Sequence, residues 1–123
     1  MLGSAKVVAF APARDANKAQ EFYEGVLGLK LVRKDQFALE FDANGTMLRV
    51  ASVPKYEPHP FTILGWDVKD IARTVAELAS RGVEFQHYGM PGQDKRGIWK
   101  SPSGAQVAWF KDPDGNVLSV SQH

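Results

Sequence analysis

The feature that most constrains this chain is an internal repeat. An apolar segment, Lys6 to Ala11, leads to Asp15 and then to a stretch with helically spaced apolar residues that stops at Gly28. A second apolar segment, Phe61 to Val68, leads to Asp70 and a similar stretch that stops at Gly82. Asp favours a helix start because its carboxylate accepts the unpaired N–H groups of the first turn. Gly favours the left-handed residue that closes a helix. Between these signals, Phe22, Val26 and Leu27 in one half, and Ile71, Val75 and Leu78 in the other, recur with helical period. Short apolar segments follow, Leu29-Lys30-Leu31-Val32 and Val83-Glu84-Phe85, and both are predicted strands. The halves also close alike. Asn44-Gly45-Thr46-Met47-Leu48-Arg49-Val50-Ala51 aligns with Asp114-Gly115-Asn116-Val117-Leu118-Ser119-Val120-Ser121, a turn followed by a strand in each case.

Each half therefore reads strand, helix, three strands. The expectation is an α+β chain of two βαβββ modules within a single domain, residues 1–123. Module one covers about 5–53, a proline-bearing connector 54–60, and module two about 61–121. The second half is longer, and its extra residues fall at Gln86 to Arg96.

Composition narrows the function classes. Fifteen Lys and Arg against fourteen Asp and Glu give a net charge of +1, with signs mixed along the chain, so nothing points to nucleic acid. There is no cysteine, which removes disulfides, thiolate catalysis and cysteine zinc sites. No apolar run reaches transmembrane length, and no membrane partner is expected. The run Val7 to Ala13 could imitate a short signal peptide, but it reads better as a buried first strand, and a cytoplasmic location is expected.

Two motifs tie the repeat to a known family. Phe22-Tyr23-Glu24-Gly25-Val26-Leu27-Gly28-Leu29 is similar to the FYxxxLGL first-helix motif of the vicinal oxygen chelate superfamily. Asp112-Pro113-Asp114-Gly115-Asn116 resembles the DPDGN turn before its last strand. With Gly82-Val83-Glu84-Phe85, the resemblance covers essentially the whole chain. It implies the glyoxalase/bleomycin-resistance/dioxygenase fold, in which a curved mixed sheet forms a cup. In the superfamily's enzymes four His, Gln or Glu side chains, from the first and last strand of each module, hold a divalent metal there.

Carried over one at a time, those positions fall on Val8, Arg49, Ile63 and Ser119. Val and Ile have no donor atom, Arg49 is a permanent cation, and a lone Ser is a weak ligand. The implied metal set is absent, so no metal and no cofactor is expected. His59, His87 and His123 lack a second ligand at coordinating spacing and read as exposed loop residues.

Strand alternation then gives the cup-facing side chains: Val8 with Lys6 and Phe10; Arg49 with Met47 and Ala51; Ile63 with Phe61, Gly65 and Asp67; Ser119 with Val117 and Ser121. Apolar walls with a few polar groups suit a small molecule. The expected ligand-binding residues are Val8, Phe10, Met47, Arg49, Ile63, Asp67, Trp99 and Ser119. Arg49 either anchors an acidic ligand or pairs with Asp67 or Glu40. Loop 86–97 is a candidate lid, with Met90, Gln93, Asp94 and Lys95 as its functional groups. Trp99, like Trp109, either stacks on a planar ligand or packs in the core or a dimer interface.

Three functions compete. The first is a metal-free binder of a small organic molecule, acidic or aromatic, of the bleomycin-resistance type, with its ligand in the cup between the modules. The second is a glyoxalase-like lyase, isomerase or dioxygenase using a divalent metal or a non-standard site; no catalytic residue can be named for it. The third is a structural or regulatory partner domain. A homodimer is expected, because short members of this superfamily commonly pair and an open sheet leaves edges and apolar surface uncovered.

Overall fold

The computed structural model describes residues 1–123, which form two compact units, 1–57 and 58–123. Each has the βαβββ order. The first contains β1 (Val8–Ala13), α1 (Ala16–Gln20) continued by a π-helical turn (Glu21–Val26), β2 (Lys30–Lys34), β3 (Ala38–Ala43) and β4 (Thr46–Ser52). The second contains β5 (Thr62–Asp67), α2 (Ile71–Ser80), β6 (Trp99–Lys100), β7 (Gln106–Lys111) and β8 (Val117–Gln122).

Each unit has its own four-stranded mixed sheet, in the order β1-β4-β3-β2 and β5-β8-β7-β6. The expected mixed sheet is thus two separately hydrogen-bonded sheets. In both, the first strand runs parallel to the last and the remaining pairs are antiparallel.

The helix signals act as the sequence implied. Asp15 Oδ1 accepts the amides of Asn17 and Lys18, and Asp70 Oδ1 accepts that of Arg73. Gly28 and Gly82 take the left-handed conformation at φ +77° and +94°. The first helix widens at its end: the Leu27 amide reaches the Phe22 carbonyl at 2.9 Å, a five-residue step. That turn accommodates Tyr23, which is buried against Phe41 with ring centroids 5.9 Å apart. Under α1 lie Ala11, Ala13, Leu39, Phe41, Leu48 and Val50. Under α2, Ile71, Val75 and Leu78 meet a sheet face of Ala108, Phe110, Leu118 and Val120. Burying each large apolar side chain contributes about 1.5–3 kcal/mol.

Two boundaries differ from expectation. β1 begins at Val8, not Lys6, because it follows its partner residue for residue, Val8 beside Met47 through Ala13 beside Ser52. It is buried on one face only: Ala11 and Ala13 are in the core, while Phe10 is 60% exposed. Val83–Phe85 is not a strand. Only Phe85 bridges to Phe110, and the neighbour of β7 is instead the two-residue β6. Asn44-Gly45 is the hairpin turn expected, with φ of 54° and 94°.

Candidate functional site

In the first unit, alternation puts one set of side chains on the face away from α1. Val8 lies beside Met47, and Phe10 beside Arg49. Val8 is 42% exposed, Met47 39% and Phe10 60%, so none of the three belongs to the core of this unit. Val8 and Met47 line a groove of about 320 Å³ with Lys6, Val7, Val32 and Asp42.

Arg49 is not a free anchor. Its Nη1 lies 2.7 Å from Glu40 Oε2, and the other Glu40 oxygen accepts Arg33 Nε at 2.9 Å. The pairing follows from register, since Arg49, Glu40 and Arg33 occupy one row across β4, β3 and β2. Glu40 is one of the two carboxylates that sequence offered as partners. Asp35 sits nearby, and its carboxyl is held below the usual range by the Phe37 and Ala38 amides; Arg33 and Arg49 add to this, against the opposing effect of burial.

In the second unit the face away from α2 carries Ser119 between Gly65 and Trp109, and Ser121 between Asp67 and Val107, with Trp99 beside Val107. Phe10 beside Arg49 in the first sheet thus corresponds to Gly65 beside Ser119 in the second. A Cβ at Gly65 would stand 2.9 Å from Ser119 Oγ, so a larger residue there would need the Ser119 hydroxyl to turn away. Ile63 is the extra residue of an irregularity between Thr62 and Leu64, so it has no cross-strand partner of its own.

The same face bears an aromatic ladder. Trp99 and Trp109 have ring centroids 6.1 Å apart, and Tyr88 meets Trp109 edge-on at 5.5 Å. Both indoles are half-buried and Tyr88 is exposed, so ring surface remains available. The loop over β6 fixes this ladder. Trp99 Nε1 donates to the Pro91 carbonyl at 3.0 Å. Gln93 accepts the Tyr88 amide and donates to the carbonyls of Gln86 and Gly97. Asp94 accepts the amides of Arg96 and Ile98 and both Nε and Nη2 of Arg96. Gln93 and Asp94, expected as functional groups of a lid, make the bonds that hold the loop in shape.

The structure therefore gathers Val8, Phe10, Met47 and Arg49 on one sheet face, and Asp67, Trp99 and Ser119 on the other. The ladder adds Tyr88 and Trp109 to the expected binding set, in which sequence had placed Trp99 while weighing Trp109 as a stacking or packing residue. Trp109 was accessible by counting: across the Asp112–Asn116 turn, β7 and β8 pair so that Trp109 lies opposite Ser119. Tyr88 had no such signal, because its place depends on the fold of an irregular loop.

The four positions implied for a metal carry Val8, Arg49, Ile63 and Ser119, a set without imidazole or carboxylate, which does not fit a divalent cation. No three His, Asp or Glu side chains converge elsewhere. His59, His87 and His123 are exposed. No helix is long and apolar enough to cross a membrane.

Residues 6–120 match the model of the Glyoxalase/Bleomycin resistance protein/Dioxygenase superfamily. Among solved structures, the chain is similar to a bleomycin-binding protein complexed with bleomycin, at TM-score 0.74 and 23% identity, covering 98% of this chain and 99% of that one. Lactoylglutathione lyase from Agrobacterium tumefaciens gives TM-score 0.74 at 18% identity, covering 97% and 93%. A superfamily member from Sphaerobacter thermophilus gives TM-score 0.72 at 25% identity, covering 95% and 97%.

Proposed function

The chain belongs to that superfamily, and on this premise we propose that it is a metal-free protein that binds a small planar organic molecule on the ladder face of its second unit. The observation that carries the reading is the Trp99–Trp109–Tyr88 ladder on the same face as Ser119. The donor-poor set at Val8, Arg49, Ile63 and Ser119 supports the metal-free part. The bleomycin-binding neighbour, a protein with a bound small molecule, is in keeping with it.

A bicyclic aromatic ligand burying roughly 150 Å² of apolar area gains about 4 kcal/mol at ~25 cal/mol per Å². That corresponds to about millimolar affinity before any polar contact. Asp67, on the row of Trp99, and Ser119 are the polar groups we place at the ligand. Val8, Phe10 and Met47 are the apolar residues we assign to a second contact surface, either for ligand or for a second copy in a homodimer. Arg49 we assign to the scaffold, because Glu40 already meets its charge. A cytoplasmic location suits a chain with no cysteine.

The test has two parts. Native mass spectrometry and elemental analysis on protein purified without affinity metal should find no stoichiometric zinc, nickel, iron or manganese. Planar aromatics should quench tryptophan fluorescence saturably. About one metal per chain, with lyase or dioxygenase turnover, would replace this reading by an enzymatic one.

A further inference from the structure

We infer that the second unit carries an anion-accepting groove beside the ladder, so that its ligand is an aromatic carboxylate; the aromatic half of this statement rests on the ligand reading above. The groove holds about 350 Å³ and is lined by His59, Tyr88, Lys111, Gly115 and Val117 together with Pro58 and Pro60. Its polar side chains are all donors or can donate. The Lys111 ammonium makes no ion pair. His59 is stacked on Phe61, with centroids 4.9 Å apart and planes 11° from parallel, which orients its ring. An imidazole offers an N–H in either protonation state, and the Tyr88 hydroxyl offers an O–H.

No carboxylate lines this groove. The nearest in sequence, Asp112, is buried and engaged by the amides of Asp114 and Asn116 and by Asn116 Nδ2. Converging donors with no internal acid favour an anionic group from outside.

The groove and the ladder are continuous. Trp109 and Lys111 are two residues apart on β7 and share a face, with Val117 and Ser119 as their partners on β8. Their Cα atoms are therefore about 7 Å apart. Tyr88 belongs to both, since it touches the Trp109 ring and lines the groove. A ligand with its ring on the indole thus places a carboxylate a few bonds away at Lys111. The ion pair that results is partly exposed, so the preference for an acid over its neutral isostere should be about 1.4- to fivefold.

The probes are 2-naphthoate and 2-naphthamide at pH 7.5, which share a ring system but differ in charge. Binding is followed by calorimetry and tryptophan fluorescence on the wild type, Lys111→Met and Trp109→Leu, with circular dichroism to verify folding. The expected result is tighter binding of naphthoate to the wild type, a preference abolished in Lys111→Met, and weakening of both probes in Trp109→Leu. Equal binding of the two probes to the wild type overturns the groove while leaving the ladder in place. A naphthoate preference that survives Lys111→Met also overturns it. Naphthoate binding that depends on Lys111 but not on Trp109 overturns the aromatic class and the ladder reading. No binding of either probe overturns both.

Discussion

Replacing Glu40 by Gln should destabilise the first unit more than any exposed charge change. Glu40 is 12% exposed at its side chain and joins Arg49, 27% exposed, to Arg33, 64% exposed. Gln keeps the shape but can present only one acceptor oxygen, so its amide nitrogen faces a guanidinium. The Arg49 contact is a short, half-buried, charge-assisted bond, worth about 1.5–3 kcal/mol. The Arg33 contact is largely solvated and worth about 0.2–1 kcal/mol. Residual repulsion between the two arginines adds to the loss, so the expected cost is about 2–3 kcal/mol. In a domain of this size that lowers Tm by roughly 6–15 °C. Urea unfolding of wild type, Glu40→Gln, Arg49→Met and the double variant would measure it as a cycle, with a coupling of about 1 kcal/mol or more. The coupling should largely persist in 1 M salt, because the pair is partly shielded from solvent. A loss under about 0.5 kcal/mol, or a coupling abolished by salt, would show that the row is an ordinary surface ion pair.

Gly97→Ala should cost about 2–4 kcal/mol, because Gly97 has φ +94° and the new Cβ would stand 2.9 Å from Phe85 Cβ. Gly28→Ala, equally left-handed but facing open space, should cost only about 1 kcal/mol, and equal urea midpoints would refute the packing argument. Asp94 is held below its ordinary value of 3.8: burial raises it, but the Arg96 side chain and the amides of Ile98 and Arg96 together outweigh that. Its contribution to stability is thus complete above pH 3.8 and is lost as pH falls through the lower folded value. Asp94→Asn should flatten the decline in urea midpoint on acidification, and an unchanged decline would count against the assignment. Phe10→Asp should shift a dimer to monomer in sedimentation velocity at micromolar concentration if the exposed β1 face pairs copies of the chain; a wild type already monomeric would dispose of that idea.

The fold was legible because its signals are local and doubled. Asp15 and Asp70 cap helices whichever sheet lies below them, and Asn44-Gly45 and Asp112–Asn116 set hairpins from their own backbone preferences. The misplacements fall where partners decide. Val83–Phe85 has strand composition, yet the place beside β7 went to Trp99–Lys100, because Gln93 and Asp94 tie the preceding loop into a shape that delivers Trp99 there. The π-helical turn was equally invisible, since it is a response to seating Tyr23 on Phe41.

For the candidate site, alternation carried the argument as far as the regular strands run. Val8, Phe10, Met47 and Arg49 share a face because β1 and β4 pair without irregularity. The same counting fails at Ile63, where the register slips by one residue and the parity of the strand below Leu64 no longer predicts direction. The charge of Arg49 shows a different limit. Sequence offered Asp67 or Glu40 as its partner, and the Glu40 pairing comes from cross-strand register: Glu40 lies directly opposite Arg49 on β3, while Arg33 lies opposite Glu40 on β2. Once that row is known, the chemistry of the face changes. At Arg49 a carboxylate ligand would meet a guanidinium whose charge Glu40 already offsets, whereas at Lys111 it meets an ammonium without an ion pair. That difference is why the anionic end of the ligand is assigned to β7 and not to β4.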